Sequence, residues 1–261
     1  MFQLICTSYL KGGFRMFYRF MCSCSVLFFI CVINVEATNN SDLVLIYKDS
    51  VDVTGDGEKE TIHIEGERLS SSSTYFPFIH ATIYSKNGDK WTIDLPGGFN
   101  PSFEYIDITN NGTNELLYQS SFNPEEDTHI FNIYTFENNH FSSIPIPVES
   151  FIHGKFIENF LVHIFIHPHE DPVVIDIKDQ SSAYIAAGIY QQDGNLVRQQ
   201  EVFIEPVHAI KGLPSEGQTM IETSQHASSM IDAKELGTIQ SKWVFENDSW
   251  LLVDTSWKSS H

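Results

Sequence analysis

Two short acidic segments carry the side chains best suited to chemistry. In Asp52-Val53-Thr54-Gly55-Asp56-Gly57-Glu58-Lys59-Glu60, oxygen-bearing residues stand at positions 1, 3, 5 and 9 (Asp52, Thr54, Asp56, Glu60), with Gly57 at position 6. Alternate residues of a tight turn aim oxygens inward, and glycine permits the sharp bend. With a backbone carbonyl near Glu58 and water, they approach the roughly six to eight hard oxygen ligands that calcium takes. Fifty-five residues later the pattern returns as Asp107-Ile108-Thr109-Asn110-Asn111-Gly112-Thr113-Asn114-Glu115, with Asp107, Thr109, Asn111 and Glu115 at the same places. Asn111 lowers its charge, so the second loop is expected to hold a cation more weakly. Position 12 is His63 in one copy and Tyr118 in the other, which excludes an EF-hand and its bidentate glutamate. The alternative is that Asp52 and Asp107 cap their own turns with no ion bound.

A denser cluster, His163, His167, His169, Glu170 and Asp171, offers imidazoles for zinc or copper. His163 and His167 share one face of an expected strand, but a third ligand must come from elsewhere. The competing reading is a polar strand face beside an acidic turn. Other catalytic signatures are missing: there is no G-x-S-x-G elbow, H-E-x-x-H helix, phosphate loop or dinucleotide fingerprint. Gly97-Gly98 reads as part of a loop, Leu95 to Pro101. A glycoside hydrolase would need two carboxylates facing each other across a cleft, which spacing alone does not reveal.

The chain has 261 residues with 34 acidic and 15 basic side chains, a net charge of −19. Such a charge argues against binding a nucleic-acid backbone. All four cysteines, Cys6, Cys22, Cys24 and Cys31, fall in the first 31 residues. Residues 16–37 read as a secretory signal, with Arg19 ahead of an apolar run from Val26 to Val35 and Ala37 at the cleavage point. The alternative is a retained N-terminal membrane anchor. Residues 1–15 are expected to precede the true start at Met16, because Lys11-Gly12-Gly13 can be encoded by AAAGGAGG, a bacterial ribosome-binding sequence. That points to a Gram-positive-like source. Cleavage would leave residues 38–261, with 12 basic and 33 acidic groups, a charge of −21 and no thiol. A secreted chain without disulfides must be held by its core, by metal, or by both.

The elements that must position these residues read as strands: Leu43 to Tyr47, Thr61 to Glu65, Phe78 to Tyr84, Trp91 to Leu95, His129 to Phe136, Leu161 to His167, Val173 to Ile177, Val202 to Ile204 and Trp250 to Val253. Asn87-Gly88 and Asp193-Gly194 are hairpin signals, and Glu137-Asn138-Asn139 and Glu246-Asn247-Asp248 are looser copies. The aromatics before them, Tyr84, Tyr134, Tyr190 and Phe245, are 50, 56 and 55 residues apart. The spacing predicts one all-β domain of four repeated antiparallel units, propeller-like, over roughly 43–98, 99–148, 149–205 and 206–261. One short helix is expected near the C-terminus, Ser224 to Leu236, closed by Gly237.

The acidic loops resemble those of FG-GAP or VCBS-type repeats, found in integrin-like β-propellers and many secreted bacterial proteins. The resemblance is specific over about 20 residues at each loop and looser over Asp42 to Phe141. It implies a loop joining two strands of a blade and holding calcium through Asp52, Asp56 and Glu60, and through Asp107, Asn111 and Glu115. Thr54 and Thr109 depart from the family's usual Asp. The expected role is a secreted or cell-surface binding module, monomeric, with an unknown extracellular protein or glycan as partner, no nucleic acid, and no stable membrane span once the leader is cleaved. The alternatives are a secreted hydrolase of a cell-wall polymer or polysaccharide, and a structural component of an envelope or spore layer.

Overall fold

The computed structural model describes residues 42–123, 128–147, 152–213, 217–231 and 234–260. The expected leader and its cysteines lie outside the described residues. Among those described, no helix is long and apolar enough to cross a membrane.

The chain is all-β and antiparallel. Strands β1 (Asp42–Val51), β2 (Glu60–Arg68), β3 (Tyr75–Tyr84), β4 (Lys90–Ile106), β5 (Glu115–Asn123), β6 (Thr128–Glu137) and β7 (His140–Ile144) form one seven-stranded meander in sequence order. Period-two alternation drives the pairing: along β2, Glu60, Ile62, Ile64 and Gly66 are buried while their neighbours are more exposed. The loop expected from Leu95 to Pro101 is instead the middle of β4, a strand of 17 residues. A bulge between Phe99 and Ser102 lets its first part pair with β3 and its second with β5. Gly97 makes this bend possible, because a β-carbon there would lie 2.5 and 2.6 Å from the carbonyl oxygens of Pro77 and Phe76. The sheet rolls into a half-barrel. Trp91, at the start of β4, donates its Nε1–H to the Asn139 carbonyl in the β6–β7 turn at 3.1 Å.

Strands β8 (Ile152–Ile157), β9 (Leu161–Ile166) and β10 (Val173–Asp176) form a second sheet in the order β10-β9-β8. One 3-10 turn leads into the short helix α1 (Ser181–Ala186). Strands β11 (Val202–Ile204), β12 (Ala209–Leu213), β13 (Met220–Ser229), β14 (Glu235–Glu246) and β15 (Ser249–Ser259) form the third sheet, in which β12 and β11 both pair with β13. The strands thus group as seven, three and five, and the described residues do not show a closed propeller.

The helix expected at Ser224 to Leu236 is overturned: Ser224 to Ser229 belong to β13, and Glu235 and Leu236 to β14. Thr223, Gln225, Ser228 and Ser229 are buried on β13 without an apolar stripe to announce a strand. For Thr223, Gln225 and Ser228 the hydrogen-bond partners are tertiary neighbours. Trp243 Nε1–H donates to Thr223 Oγ1 at 3.0 Å, and Gln225 and Ser228 donate to the Glu205 carbonyl and carboxylate. Gly237 does not stop a helix; it lies under the Trp257 ring, 2.3 Å from where a β-carbon would stand.

The expected turns at Asn87-Gly88, Asn138-Asn139 and Asn247-Asp248 each join neighbouring strands, with Asn138, Asn139, Asn247 and Asp248 all at φ between 49° and 64°. Asp193-Gly194 instead closes an isolated bridge between Tyr190 and Leu196. A further tight hairpin, β8–β9, turns through Asn159 and Phe160 at φ 64° and 58°. That conformation is unfavourable for a bulky residue, and burial of the Phe160 ring against Tyr190, centroids 4.7 Å apart, offsets it.

Three apolar clusters hold the fold. One fills the half-barrel with Ile62, Ile64, Ile79, Ile83, Leu95 and Tyr118. A second joins the outer side of β4–β7 to the third sheet through Ile106, Leu117, Ile133, Ile210, Ile221 and Trp243. The third packs β8–β10 and α1 on the far end of the third sheet, around Ile164, Ile177, Tyr184, Tyr190 and Ile239.

Candidate functional site

The two acidic loops join β1 to β2 and β4 to β5, and they share one wiring. The first-position carboxylate turns back onto its own loop: Asp52 accepts from the N–H groups of Gly55 and Gly57 at 2.7 and 3.0 Å, and Asp107 from Asn111 and Gly112 at 3.0 and 2.9 Å. The fifth-position oxygen accepts from the N–H two residues on, Asp56 from Glu58 at 2.8 Å and Asn111 from Thr113 at 2.7 Å. The ninth-position glutamate reaches under the loop to the second-position N–H, Glu60 to Val53 at 3.0 Å and Glu115 to Ile108 at 2.7 Å. The loops also touch. Asn114 Nδ2–H donates to the Asp52 carbonyl at 3.2 Å, and Gly55, at φ 76°, lies against Thr113. Glu58, whose backbone was expected to serve a cation, pairs its side chain with Lys86.

The loops differ beneath the surface. Glu115 is fully buried and saturated: Thr109 N–H donates to Oε2 at 3.1 Å, and the hydroxyls of Thr109 and Thr135 both donate to Oε1 at 3.0 Å. Burial pushes its carboxyl above the usual range, and these four donors pull it part of the way back. Glu60 is equally buried, yet its Oε1 has no hydrogen-bond partner, and neither has the buried hydroxyl of Thr54, the counterpart of Thr109.

The three histidines are not brought together. His163, on β9, packs edge-on against Phe165. His167 and His169 are stitched to β15 instead: the His167 carbonyl accepts from Thr255 Oγ1 at 3.2 Å, and His169 Nε2 lies 2.9 Å from the Thr255 carbonyl. Among the described residues, no three His, Cys, Asp or Glu side chains converge into a metal-holding group.

A cavity of about 630 Å³ opens beside the second loop, within the usual range for small-ligand sites. Its walls are Thr109 and Asn110 of that loop, the β6–β7 hairpin with Glu137, and the β14–β15 hairpin with Phe245, Glu246 and Asp248. The walls are fixed to one another. Trp250 Nε1–H donates to the Pro145 carbonyl at 2.6 Å, and Thr219 N–H donates to Asn110 Oδ1 at 2.5 Å. Thr109 and Thr135 line the cavity while holding Glu115 below it. None of Glu137, Glu246 and Asp248 stands out among 34 acidic residues. The available signal was the hairpin figure itself, since all three sit at the tips Glu137-Asn138-Asn139 and Glu246-Asn247-Asp248.

No curated protein matches the chain. Two solved structures are similar in part: the rhamnogalacturonan lyase PL11 of Bacillus licheniformis, at 13% identity, and the rhamnogalacturonan lyase YesW, at 14%. Each has a TM-score of 0.36, and each alignment covers 84% of this chain and 35% of the lyase. This chain therefore spans about a third of the length of either lyase. Residues 150–258, which hold β8 to β14 and nearly all of β15, match the family described as the YybI C-terminal domain.

Proposed function

We propose that this chain is a secreted or surface-associated binding module whose ligand seat is the cavity between the second acidic loop and the two hairpin tips. The observation that carries this reading is the cavity's construction: amides, hydroxyls and carboxylates from widely separated segments on walls pinned together by Trp250 and Asn110. Fixed polar walls reduce the ordering cost of binding. An extracellular glycan or protein is the expected partner, and the acidic charge disfavours nucleic acid. A panel of glycans and peptidoglycan, scored for both retention and turnover, tests the reading; retention without product is expected. The hydrolase reading is favoured by one observation, that Glu137 and Glu246 line one cavity from different hairpins. Product release that is lost in Glu137→Gln or Glu246→Gln would establish it over the binding module.

The first loop is proposed to bind calcium through Asp52, Thr54, Asp56 and Glu60. Support comes from the buried Glu60 Oε1 and Thr54 Oγ1, both without a partner, where the second loop satisfies the equivalent atoms internally. Titration calorimetry with calcium should give heat from the parent and none from Asp56→Ala; a parent that gives no heat ends the idea. The common wiring of the loops also supports the FG-GAP-like relationship of the first two units. The four-unit, propeller-like arrangement is part of the same proposal.

A further inference from the structure

The first acidic loop is supplied with a cation from another part of the sheet. Four carboxylates, Asp52, Asp56, Glu58 and Glu60, fall within its nine residues, against two, Asp107 and Glu115, in the second loop. Lys59, within the loop, acts on Asp49 of β1. The further charge comes from the β3–β4 hairpin. Lys86 Nζ–H donates to Glu58 Oε2, and the carboxylates of Asp56 and Glu60 act on the same ammonium with smaller effect. The turn fixes Lys86 in this place. Ser85 N–H donates to the Asp89 carbonyl at 3.0 Å and Asp89 N–H to Ser85 Oγ at 2.9 Å, while Gly88, at φ 95°, supplies the left-handed residue. Among the described residues no ion pair reaches the second loop, where Thr113 stands in place of Glu58. The lysine therefore accompanies the loop whose buried Glu60 Oε1 lacks a partner, and not the loop whose glutamate is saturated.

Resting on the reading of the first loop as a calcium site, we propose that Lys86 is its built-in competitor, an ammonium that shares the field of the same carboxylates with the metal ion. A divalent ion among Asp52, Thr54, Asp56 and Glu60 repels the ammonium and draws on the charges that hold it. Lys86 and Glu58 are 65% and 58% exposed, so the ammonium can turn into solvent as the ion enters. Exposed pairs are weak and screened by salt, so the lysine tunes affinity and does not block the site. Two effects follow. Calcium is held more weakly than the carboxylates alone would hold it, and the metal-free loop is relieved of part of its self-repulsion.

The test is calorimetry and thermal melting of the full chain, with calcium as the probe, at about 0.01 M and about 1 M salt. The variants are Lys86→Gln, Lys86→Arg, and Lys86→Gln combined with Asp56→Ala; Lys86 is exposed in a turn. At low salt Lys86→Gln should bind calcium about three- to fivefold tighter than the parent, and Lys86→Arg should match the parent. The gain should vanish at high salt, and calcium should raise the melting point of Lys86→Gln more than that of the parent. Lys86→Gln binding no tighter than the parent, or Lys86→Arg tightening as much as Lys86→Gln, overturns the competitor and leaves the calcium site standing. No calcium heat from either the parent or Lys86→Gln overturns the site and the competitor together. So does calcium bound by Lys86→Gln with undiminished affinity once Asp56→Ala is added.

Discussion

Glu115 separates two roles that a buried carboxylate can have: partner of a cation, or hub of hydrogen bonds. It receives four donors, and they do not depend on it equally. Ile108 N–H also reaches the Ile106 carbonyl at 2.9 Å, and the hydroxyls of Thr109 and Thr135 can rotate. Only Thr109 N–H has no second acceptor. Glu115→Ala therefore strands one part-buried amide, worth about 1–2 kcal/mol, and loses a buried methylene, worth about 0.8 kcal/mol. The expected loss is about 2–3 kcal/mol, or about 1 M in the urea midpoint. Glu115→Gln keeps an oxygen for the amides and turns an NH₂ toward two hydroxyls able to accept it, so it should stay within about 1 kcal/mol of the parent. A pH series adds a second reading. Burial raises the folded carboxyl above its unfolded value, so the folded state binds more protons in the interval between them. The stability that Glu115 contributes is full below the unfolded pKa, falls as pH rises through the folded one, and is level above it. The difference between parent and Glu115→Gln should show that fall. If Glu115→Gln costs as much as Glu115→Ala, the negative charge itself is required and the hydrogen-bond reasoning is refuted.

Two further perturbations probe the frame around the site. Thr223→Val removes the acceptor of the buried Trp243 indole and should cost about 1–3 kcal/mol by denaturant unfolding, with Thr223→Ser recovering most of it; an unchanged stability in Thr223→Val would show that the hydroxyl does not matter. Gly97→Ala sets a β-carbon against two backbone carbonyls, and should cost about 1–3 kcal/mol, seen as a melting-point drop of several degrees. An unchanged melting point would show that β4 does not need the close approach.

Much of the local structure was legible in the residues themselves. Alternating Ile62, Ile64 and Glu60 specify which face of β2 is buried, and Asn87-Gly88, Asn138-Asn139 and Asn247-Asp248 mark three of the strand turns, because both signals act over a few bonds. The two acidic loops were legible as a pair for the same reason: Asp52 and Asp107 each fold back onto amides of their own loop. Long-range choices were not legible. β13 carries Thr223, Gln225 and Ser228 inward, and nothing local reports that Trp243 and Glu205 wait to pair with them. Pro96 to Pro101 has the composition of a loop, and only the backbone approach at Gly97 and the partner strands on either side keep it extended. Identical loop patterns conceal a saturated Glu115 and an unsatisfied Glu60, since Thr135, the donor that helps saturate Glu115, comes from a different strand. The sequence alone determined an acidic, antiparallel β-chain with paired loops, because propensity and turn chemistry are local. The tertiary structure decided which carboxylates share a cavity, because Glu137 and Glu246 meet only when separate sheets pack across Ile133, Ile221 and Trp243.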